Sequence, residues 1–394
     1  MNIVILAIET LTDLETYNSE LIYISNHLSS LGHRVNLLIP RETSSSSETP
    51  SNITQLGLLN HPVIKLNKSK SSNSSERGLI KKINNAVKQI DLAIGVIRVM
   101  KRLSPDILIC HGNGILYVNS FLSIWVSKIL KIPVLQVWIG SDLLTKAFFM
   151  DNFLKKAITN QSINIVQSNH MKQYLQKLSP DTNPIVLPNK GVNTSKFYPK
   201  EKNKGKDKYK EKEIIKILYT GRLYPVKGIK YLINAFQEVT KKYPNCQLEI
   251  IGEGPESKLI KSKHNQNIIL KDSVNHEDIA KFYQNADIFV LSSLSEGLSN
   301  SIMEAMACSL PVIATRVGGN KELIDNQTGG FLVPPKNTKK LVEAITKLID
   351  NPKLREEMGQ YNHKKVKKYQ ISHLLEKRAK LMERINDIFF KKYI

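Results

Sequence analysis

What this 394-residue sequence has little of narrows its nature before any motif is found. Its three cysteines, Cys110, Cys246 and Cys308, are too few for a disulfide scaffold and lack the paired spacing of a zinc site. Each lies in or beside an apolar segment, the setting of an ordinary core thiol, and a reducing cytosol fits. No apolar run approaches the ~18 residues that span a bilayer. The opening MNIVILAIET has neither a basic start nor a small-residue cleavage site, and it reads as a first strand rather than a signal peptide. No solenoid period is present. Acidic charge is scarce: 35 Asp and Glu stand against 57 Lys and Arg, a formal net charge of +22. Such an excess attracts anions, whether nucleic acid, an acidic membrane face or phosphorylated ligands; the plain alternative is a lysine-rich set of solvated faces.

What is present is an alternation. Short runs rich in Ile and Val predict strands near 2–8, 34–40, 106–111, 133–138, 163–168 and 184–188. A second set follows near 214–220, 246–251, 267–271, 288–293, 311–317 and 330–333. Amphipathic stretches predict helices near 18–31, 79–103, 117–131, 169–178, 227–242, 276–286, 300–308 and 337–350, and the last ~20 residues carry another. Continuous apolar strands separated by helices imply parallel sheets buried on both faces. The class is therefore α/β, built twice: two Rossmann-like domains facing each other across a cleft. Residues 199–213, PKEKNKGKDKYKEKE, are almost entirely charged and read as a linker between an N-terminal domain (1–198) and a C-terminal domain (214–371). The final helix, 372–394, is expected to pack back on the first domain. TSSSSETPSN (43–52) and NKSKSSNSS (67–75) read as surface loops.

Three segments of the second half carry chemistry. After the strand ILYT come Gly221, which lets backbone approach a ligand closely, and Arg222, whose planar fork suits phosphate oxygens. Lys227 starts the next helix, where its charge and the helix N-terminus act on one anion. The alternative for Arg222 is a solvated side chain. In LEIIGEGPESKLI, Gly252 and Gly254 make a tight strand–helix turn; Ser257 stands where a third glycine would complete a dinucleotide fingerprint, and Glu253 either binds the ligand or only solvates the turn. The richest segment is VLSSLSEGLSNSIMEAMACSLPVIAT. A strand ends at Ser292 and Ser293, Glu296 and Gly297 form a loop, and a helix begins near Asn300. The N–H groups of Leu298, Ser299 and Asn300 are left for a pyrophosphate. Glu304, one turn into the helix, suits the vicinal hydroxyls of a ribose, and Glu296 a sugar on the other side of the phosphates.

With these residues on the page, the sequence resembles glycosyltransferase family 4, a retaining family with the GT-B fold. GRLYPVKG, GEGP, ADIFVLSS, SEGLSNSIMEAMA, PVIATRVGG and TGGFLVPP occur in the family's order from about 215 to 350. In the first half LSSLGHRV, PDILICHGNG, GSDLL and LPNKGVNTSKFYP match more loosely. The resemblance implies an NDP-sugar donor, UDP- or GDP-linked, and no metal cofactor, in keeping with the lack of a D-x-D motif. It implies that Arg222 and Lys227 bind the pyrophosphate, that Glu304 binds the ribose and Glu296 the donor sugar. It places the nucleobase near Asp272, Ser273 and Val274, with the backbone at Leu298–Asn300 capping the phosphates. Retention then implies attack by the acceptor hydroxyl on the face that the phosphate leaves.

The sequence also departs from the family. Glu15 and Thr16 stand where a glycine pair is usual, and Ile139 replaces a histidine before Gly140, Ser141 and Asp142. His111 lies at another strand end and reads either as a site residue or as a satisfied loop histidine. Ser309 and Asp272 each replace a usual glycine. On the predicted helix 79–103, six basic side chains face one acid, Asp91. This is either a core helix with a solvated rim or a surface that docks on anionic lipid. The expected protein is a cytoplasmic hexosyltransferase, peripheral on the inner face of the plasma membrane. It would act on a glycan or lipid-linked acceptor in cell-surface polysaccharide or glycoconjugate synthesis. The competing readings are a nucleotide-sugar 2-epimerase on the same fold and a basic nucleic-acid-binding protein. The latter is opposed by the lack of interleaved aromatics or a reader motif.

Overall fold

The computed structural model describes residues 1–6, 25–40, 53–56, 94–111, 118–138, 162–188, 191–200, 214–262, 266–275, 278–378, 380, 381 and 384. Its first sheet holds seven strands: β1 (Asn2–Leu6), β2 (Arg34–Pro40), β3 (Ile53–Leu56), β4 (Ile107–His111), β5 (Val134–Trp138), β6 (Ser162–Val166) and β7 (Ile185–Val186). They lie in the order β3-β2-β1-β4-β5-β6-β7, and every pair is parallel. Alternation along the strands builds two cores. Ile3, Ile5, Ile107, Ile109, Leu135 and Val137 face one side, while Val4, Leu6, Leu108, Cys110 and Val134 face the other. Helices α1 (25–30), α2 (94–103), α3 (Val118–Leu130) and α4 (Asn169–Leu178) accompany this sheet.

The second sheet holds β8 (Ile215–Thr220), β9 (Cys246–Ile251), β10 (Ile268–Lys271), β11 (Ile288–Leu291), β12 (Val312–Thr315) and β13 (Gly330–Val333). Its order is β10-β9-β8-β11-β12-β13, again all parallel. Its helices are α5 (Ile229–Lys242), α6 (Ser257–Ser262), α7 (Ile279–Asn285), α8 (Asn300–Ala307), α9 (Asn320–Leu323), α10 (Thr338–Asp350) and α11 (Pro352–Val366). In each sheet the strand order reverses once, at β1/β4 and at β8/β11, and ligands of such sheets bind beyond the carboxyl ends of the strands at that switch point.

The chain then returns to the first sheet. Val192 bridges Gln370, and the Ile371 N–H donates to the Val192 carbonyl at 3.1 Å. Helix α12 (371–378) inserts Leu374 into the core of the N-terminal strands. A second tie is charged. Glu322 of α9 accepts the N–H groups of Asn169 and His170 and the Asn169 side-chain amide, each at 3.0 Å, at the first turn of α4. A carboxylate there meets unpaired donors and the positive helix end together.

Three elements, β3, α9 and α11, differ from the sequence expectation. The edge strand β3 was not expected, because ITQL is short and half polar. Helix α11 was not expected either: PKLREEMGQYNHKKV has little apolar periodicity, and burial of Met358, Gly359, Asn362 and Val366 fixes it. Its start was nevertheless written in the Asn351-Pro352 pair, since Asn351 accepts the Leu354 N–H at 2.9 Å. Most predicted strands end where expected, while β6, β7, β11 and β12 end two residues early, at Val166, Val186, Leu291 and Thr315. Most of the predicted helix 79–103 lies outside the described residues, as do both serine-rich stretches and the charged segment 201–213.

Candidate functional site

The carboxyl ends of β8, β9 and β11 meet in one layer of stitched loops. The Gly221 N–H donates to Ile251 O at 3.0 Å, Leu223 N–H to Glu253 O at 2.7 Å, and Gly252 N–H to Lys271 O at 3.0 Å. At Gly252, φ is +147° and a Cβ would lie 2.0 Å from the Gly221 carbonyl, so only glycine lets the two loops touch. On the other side, Leu294 N–H donates to Val226 O at 2.7 Å, and the Ser292 hydroxyl to Lys227 O at 3.1 Å. The loop after β12 closes the layer: Gly319 N–H donates to Gly297 O at 2.8 Å. Gly318 lies in the left-handed region (φ +49°), where a Cβ would meet the Glu296 carbonyl at 1.6 Å. The glycine pair of TRVGG is thus required by the backbone that presents Glu296.

Lys227 does not start the helix as the sequence suggested. It closes a 3-10 turn, Pro225–Lys227, and α5 begins at Ile229. The turn aims its ammonium across the β8/β11 crevice, where Nζ lies 2.6 Å from Glu296 Oε1, and the same oxygen accepts the Ser293 hydroxyl at 2.6 Å. The Lys227 and Glu296 side chains are only 19% and 10% exposed. Arg222 is exposed, its guanidinium 5.7 Å from the Tyr224 ring centroid. The Tyr219 hydroxyl donates to the Arg222 carbonyl at 3.2 Å; burial and then the nearby Glu296 push that phenol well above its ordinary value.

Helix α8 starts at Asn300 with Ser299 as N-cap, its hydroxyl accepting the Ile302 N–H at 3.4 Å. Among the described residues, no hydrogen bond takes the backbone N–H groups of Leu298, Ser299 and Asn300. Glu304 follows on the same helix and is half-buried. Its Oε2 accepts the hydroxyl of Tyr283 at 2.7 Å, and Tyr283 in turn is 2.5 Å from the Thr220 hydroxyl.

Glu253 does more than solvate its turn. Its Oε1 accepts both the Ser273 hydroxyl at 2.5 Å and the Ser273 N–H at 3.1 Å, which holds the carboxyl below its ordinary value. The loop Asp272–Val274 is thereby tied to the β9 turn. Gly221, Arg222, Lys227, Glu253, Ser273, Glu296, Gly297, Ser299, Asn300 and Glu304 thus belong to a single sheet edge. His111 stands apart in the first sheet, 98% buried at the end of β4, beside β1 at that sheet's own switch point. Glu15, Thr16, Gly140 and Asp142 lie outside the described residues. Sequence reasoning missed Tyr283, Thr220 and Ser293. Ser293 was legible as a small polar residue at a strand end, but Tyr283 gave no signal inside an amphipathic helix.

The arrangement offers two cations and a helix N-terminus for a diphosphate, flanked by two carboxylates for hydroxyl groups. The family model "Glycosyl transferases group 1" matches residues 199–365. An uncharacterized glycosyltransferase of Methanocaldococcus jannaschii is 30% identical over 269 residues, covering 66% of this chain and 70% of its own length. The capsular polysaccharide biosynthesis glycosyltransferase CapM of Staphylococcus aureus is 34% identical over 184 residues, 45% of this chain and 48% of that protein. The chain spans about half or less of several curated relatives that it matches. Among solved structures, Anabaena HepE in complex with UDP-glucose superposes with a TM-score of 0.70 at 16% identity, over 97% of this chain and 99% of that one.

Proposed function

We propose a donor-side mechanism from an established premise: the chain belongs to the group 1 glycosyltransferases. In this reading it moves a hexose from a nucleoside diphosphate to a hydroxyl of a glycan or lipid-linked acceptor, with retention at the anomeric carbon. The observation that carries the reading is the convergence of Arg222, Lys227, Glu296 and Glu304 on the β8/β11 crevice, beside the first turn of α8. The capsular polysaccharide role of the Staphylococcus aureus relative supports the acceptor class, and the UDP-glucose held by the Anabaena protein supports the donor class.

Breaking the anomeric bond builds negative charge on the departing diphosphate and positive charge on the sugar. Once the diphosphate is bound, Arg222, Lys227 and the N–H groups at Leu298–Asn300 are in place before the charge develops, so they lower the barrier without further reorganisation. Lys227 is paired with Glu296 across 2.6 Å. A bound diphosphate draws the ammonium to a phosphate oxygen, and Glu296, still held by Ser293, turns its acceptor capacity to a sugar hydroxyl. Glu304 takes the ribose, and the loop Asp272–Val274 takes the base through its backbone. No metal is needed in this scheme, because the protein's own cations carry the leaving charge. The acceptor hydroxyl approaches on the face of the departing phosphate, which accepts its proton. His111, Glu15, Thr16, Gly140 and Asp142 belong to the acceptor or donor-sugar side.

A peripheral membrane position is part of the proposal. On α3, Trp125 is 60% exposed and Ile129 48% exposed, beside Lys128 and Lys131. Arg98, Lys101 and Arg102 of α2 lie exposed on the same face of the first sheet. Apolar and basic side chains together suit an anionic lipid surface. No helix among the described residues is long and apolar enough to cross a membrane.

A thermal-shift panel of UDP, GDP, ADP and their common sugars, with and without metal, tests the donor site. A ligand at 100 times its dissociation constant adds about 2.7 kcal/mol. One nucleotide is expected to stabilise without metal, and Arg222→Ala and Glu304→Ala are expected to lose the shift. A shift that survives both substitutions places the nucleotide elsewhere. Flotation with phosphatidylglycerol vesicles tests the surface: binding that Trp125→Ser does not weaken removes α3 from it.

A further inference from the structure

Tyr283 is a fully buried phenol whose hydrogen bond reaches a carboxylate of the candidate site. It sits on α7, and its ring is wedged edge-on to Phe197 at 5.6 Å and tilted against Phe289 at 5.6 Å. Phe197 belongs to the segment that follows the first sheet, and Phe289 to β11, so three separate parts of the chain hold the ring in place. Its hydroxyl lies between Thr220 Oγ1, at the last residue of β8, and Glu304 Oε2 on α8. Burial, then the charge of Glu304, pushes the phenol well above its ordinary value, so it keeps its proton across the working range of pH.

A proton count then fixes the direction of the chain. A carboxylate only accepts, so the single Tyr283 proton goes to Glu304. The 2.5 Å contact between Thr220 and Tyr283 must therefore be a bond donated by Thr220 to the phenol oxygen. The order is Thr220 to Tyr283 to Glu304, each hydroxyl polarised by the next acceptor. Thr220 directly precedes Gly221 and Arg222, so the chain ties the strand end that faces the phosphates to the carboxylate that faces the ribose.

We propose that Tyr283 is a positioning residue for nucleotide recognition. Its hydroxyl pins one oxygen of Glu304, holding the carboxylate at the orientation that grips the vicinal diol of the donor ribose, with Thr220 steering the phenol. This rests on the reading of Glu304 as the ribose ligand. The fixed orientation acts on binding of the ribose and not on departure of the phosphate, so it enters donor affinity and leaves turnover unchanged.

The test compares UDP with 2′,3′-dideoxy-UDP, and GDP with its dideoxy analogue, by calorimetric titration of wild type, Tyr283→Phe, Thr220→Val and Glu304→Ala. Tyr283→Phe keeps the ring and its packing. It is expected to weaken the ribonucleotide about tenfold, the size of one hydrogen bond to a charged group, while leaving the dideoxy analogue within twofold. Donor KM rises correspondingly and kcat stays within twofold. Thr220→Val shifts the same ratio in the same direction by a smaller factor, and it keeps the test valid if the phenylalanine variant is unstable. Should both variants discriminate ribose from dideoxyribose as well as wild type while Glu304→Ala does not, the positioning role is wrong and the ribose site stands. If Glu304→Ala also keeps the discrimination, Glu304 is not the ribose ligand and both readings fall.

Discussion

The two halves of this molecule share a topology but place their buried polar side chains differently. In the C-terminal half, Thr220, Ser292, Ser293, Ser299, Thr315 and Asn320 are all buried, and all lie at or just beyond the carboxyl ends of β8, β11 and β12. Asn362, which donates to the Leu310 and Gly329 carbonyls from α11, is the exception. Among the described residues of the N-terminal half, Gln136, Ser162 and Asn164 are buried inside β5 and β6 themselves, while His111 and Ser168 are buried at or just beyond the carboxyl ends of β4 and β6. The strand residues pair internally: Gln136 donates to Ser123 at 3.0 Å, and Trp138 donates to Asn164 at 2.8 Å. A buried polar group must find a partner or cost stability. One half answers that demand with loops that shape a binding edge, the other with bonds that specify how its own strands and helices register. Among the described residues, polar burial in the second sheet is thus concentrated in the loops at its carboxyl edge, whereas in the first sheet part of it lies within the strands.

The contrast can be broken first at Arg222 and Lys227. Replacing either with alanine is expected to lower kcat/KM for sugar transfer by about 10²–10³, the usual loss for one preorganised charge-stabilising group, with little change in melting temperature for exposed Arg222 and a fall for Lys227, whose loss leaves the largely buried Glu296 without its counter-charge. Steady-state rates beside a melting curve check both halves of that statement. The mirror experiment is Asn164→Leu, which takes away the acceptor of the Trp138 indole N–H. Urea unfolding should show a loss of about 1–3 kcal/mol. A comparable loss from Ser293→Ala would erase the distinction between the halves.

Glu322 sharpens the comparison, because it joins the two halves. Glu322→Ala removes the acceptor of three donors at the first turn of α4 and should reduce stability by about 1 kcal/mol, with Glu322→Gln recovering part of it. At Ser309 the expected change is positive. The residue stands in the left-handed region at φ +58°, so Ser309→Gly should raise stability by about 0.5–1 kcal/mol in the same urea assay. The smallest effect concerns Glu253, which is exposed and held below its ordinary value by the Ser273 hydroxyl and N–H. A depressed folded value stabilises the protein above the unfolded value, and the contribution is lost as pH falls through the folded one. Any melting difference between wild type and Glu253→Gln at pH 7 should therefore shrink as pH falls below the ordinary carboxylate range; a difference that grows with acid would reverse the sign.

Legibility followed the same division. The second sheet was readable because strands buried on both faces are continuous apolar runs, and because SEGLSNSIMEAMA and TRVGG spell a loop and a helix start directly. Ser309 shows where reading stopped: it stood out as a non-glycine in the family's pattern, but its left-handed backbone came only from the turn that packs against Gly359. Helix α11 escaped because it is buried by only a few side chains, so periodicity was faint. Lys227 was singled out but placed at the start of a helix, since a 3-10 turn and an α-helical first turn look alike over three residues.

The order of apolar runs, the glycines and the charged residues of the motif segments determined, without any coordinates, that this chain is α/β twice over and resembles a glycosyltransferase family. Local pattern suffices for that, because strand and helix periods and glycine turns are properties of neighbouring residues. Only the tertiary structure decided that Lys227 pairs with Glu296, that Tyr283 lies under Glu304, and that Glu322 reaches α4. Each of those contacts joins residues far apart in sequence, and distances between remote residues are set by how the sheets and helices pack.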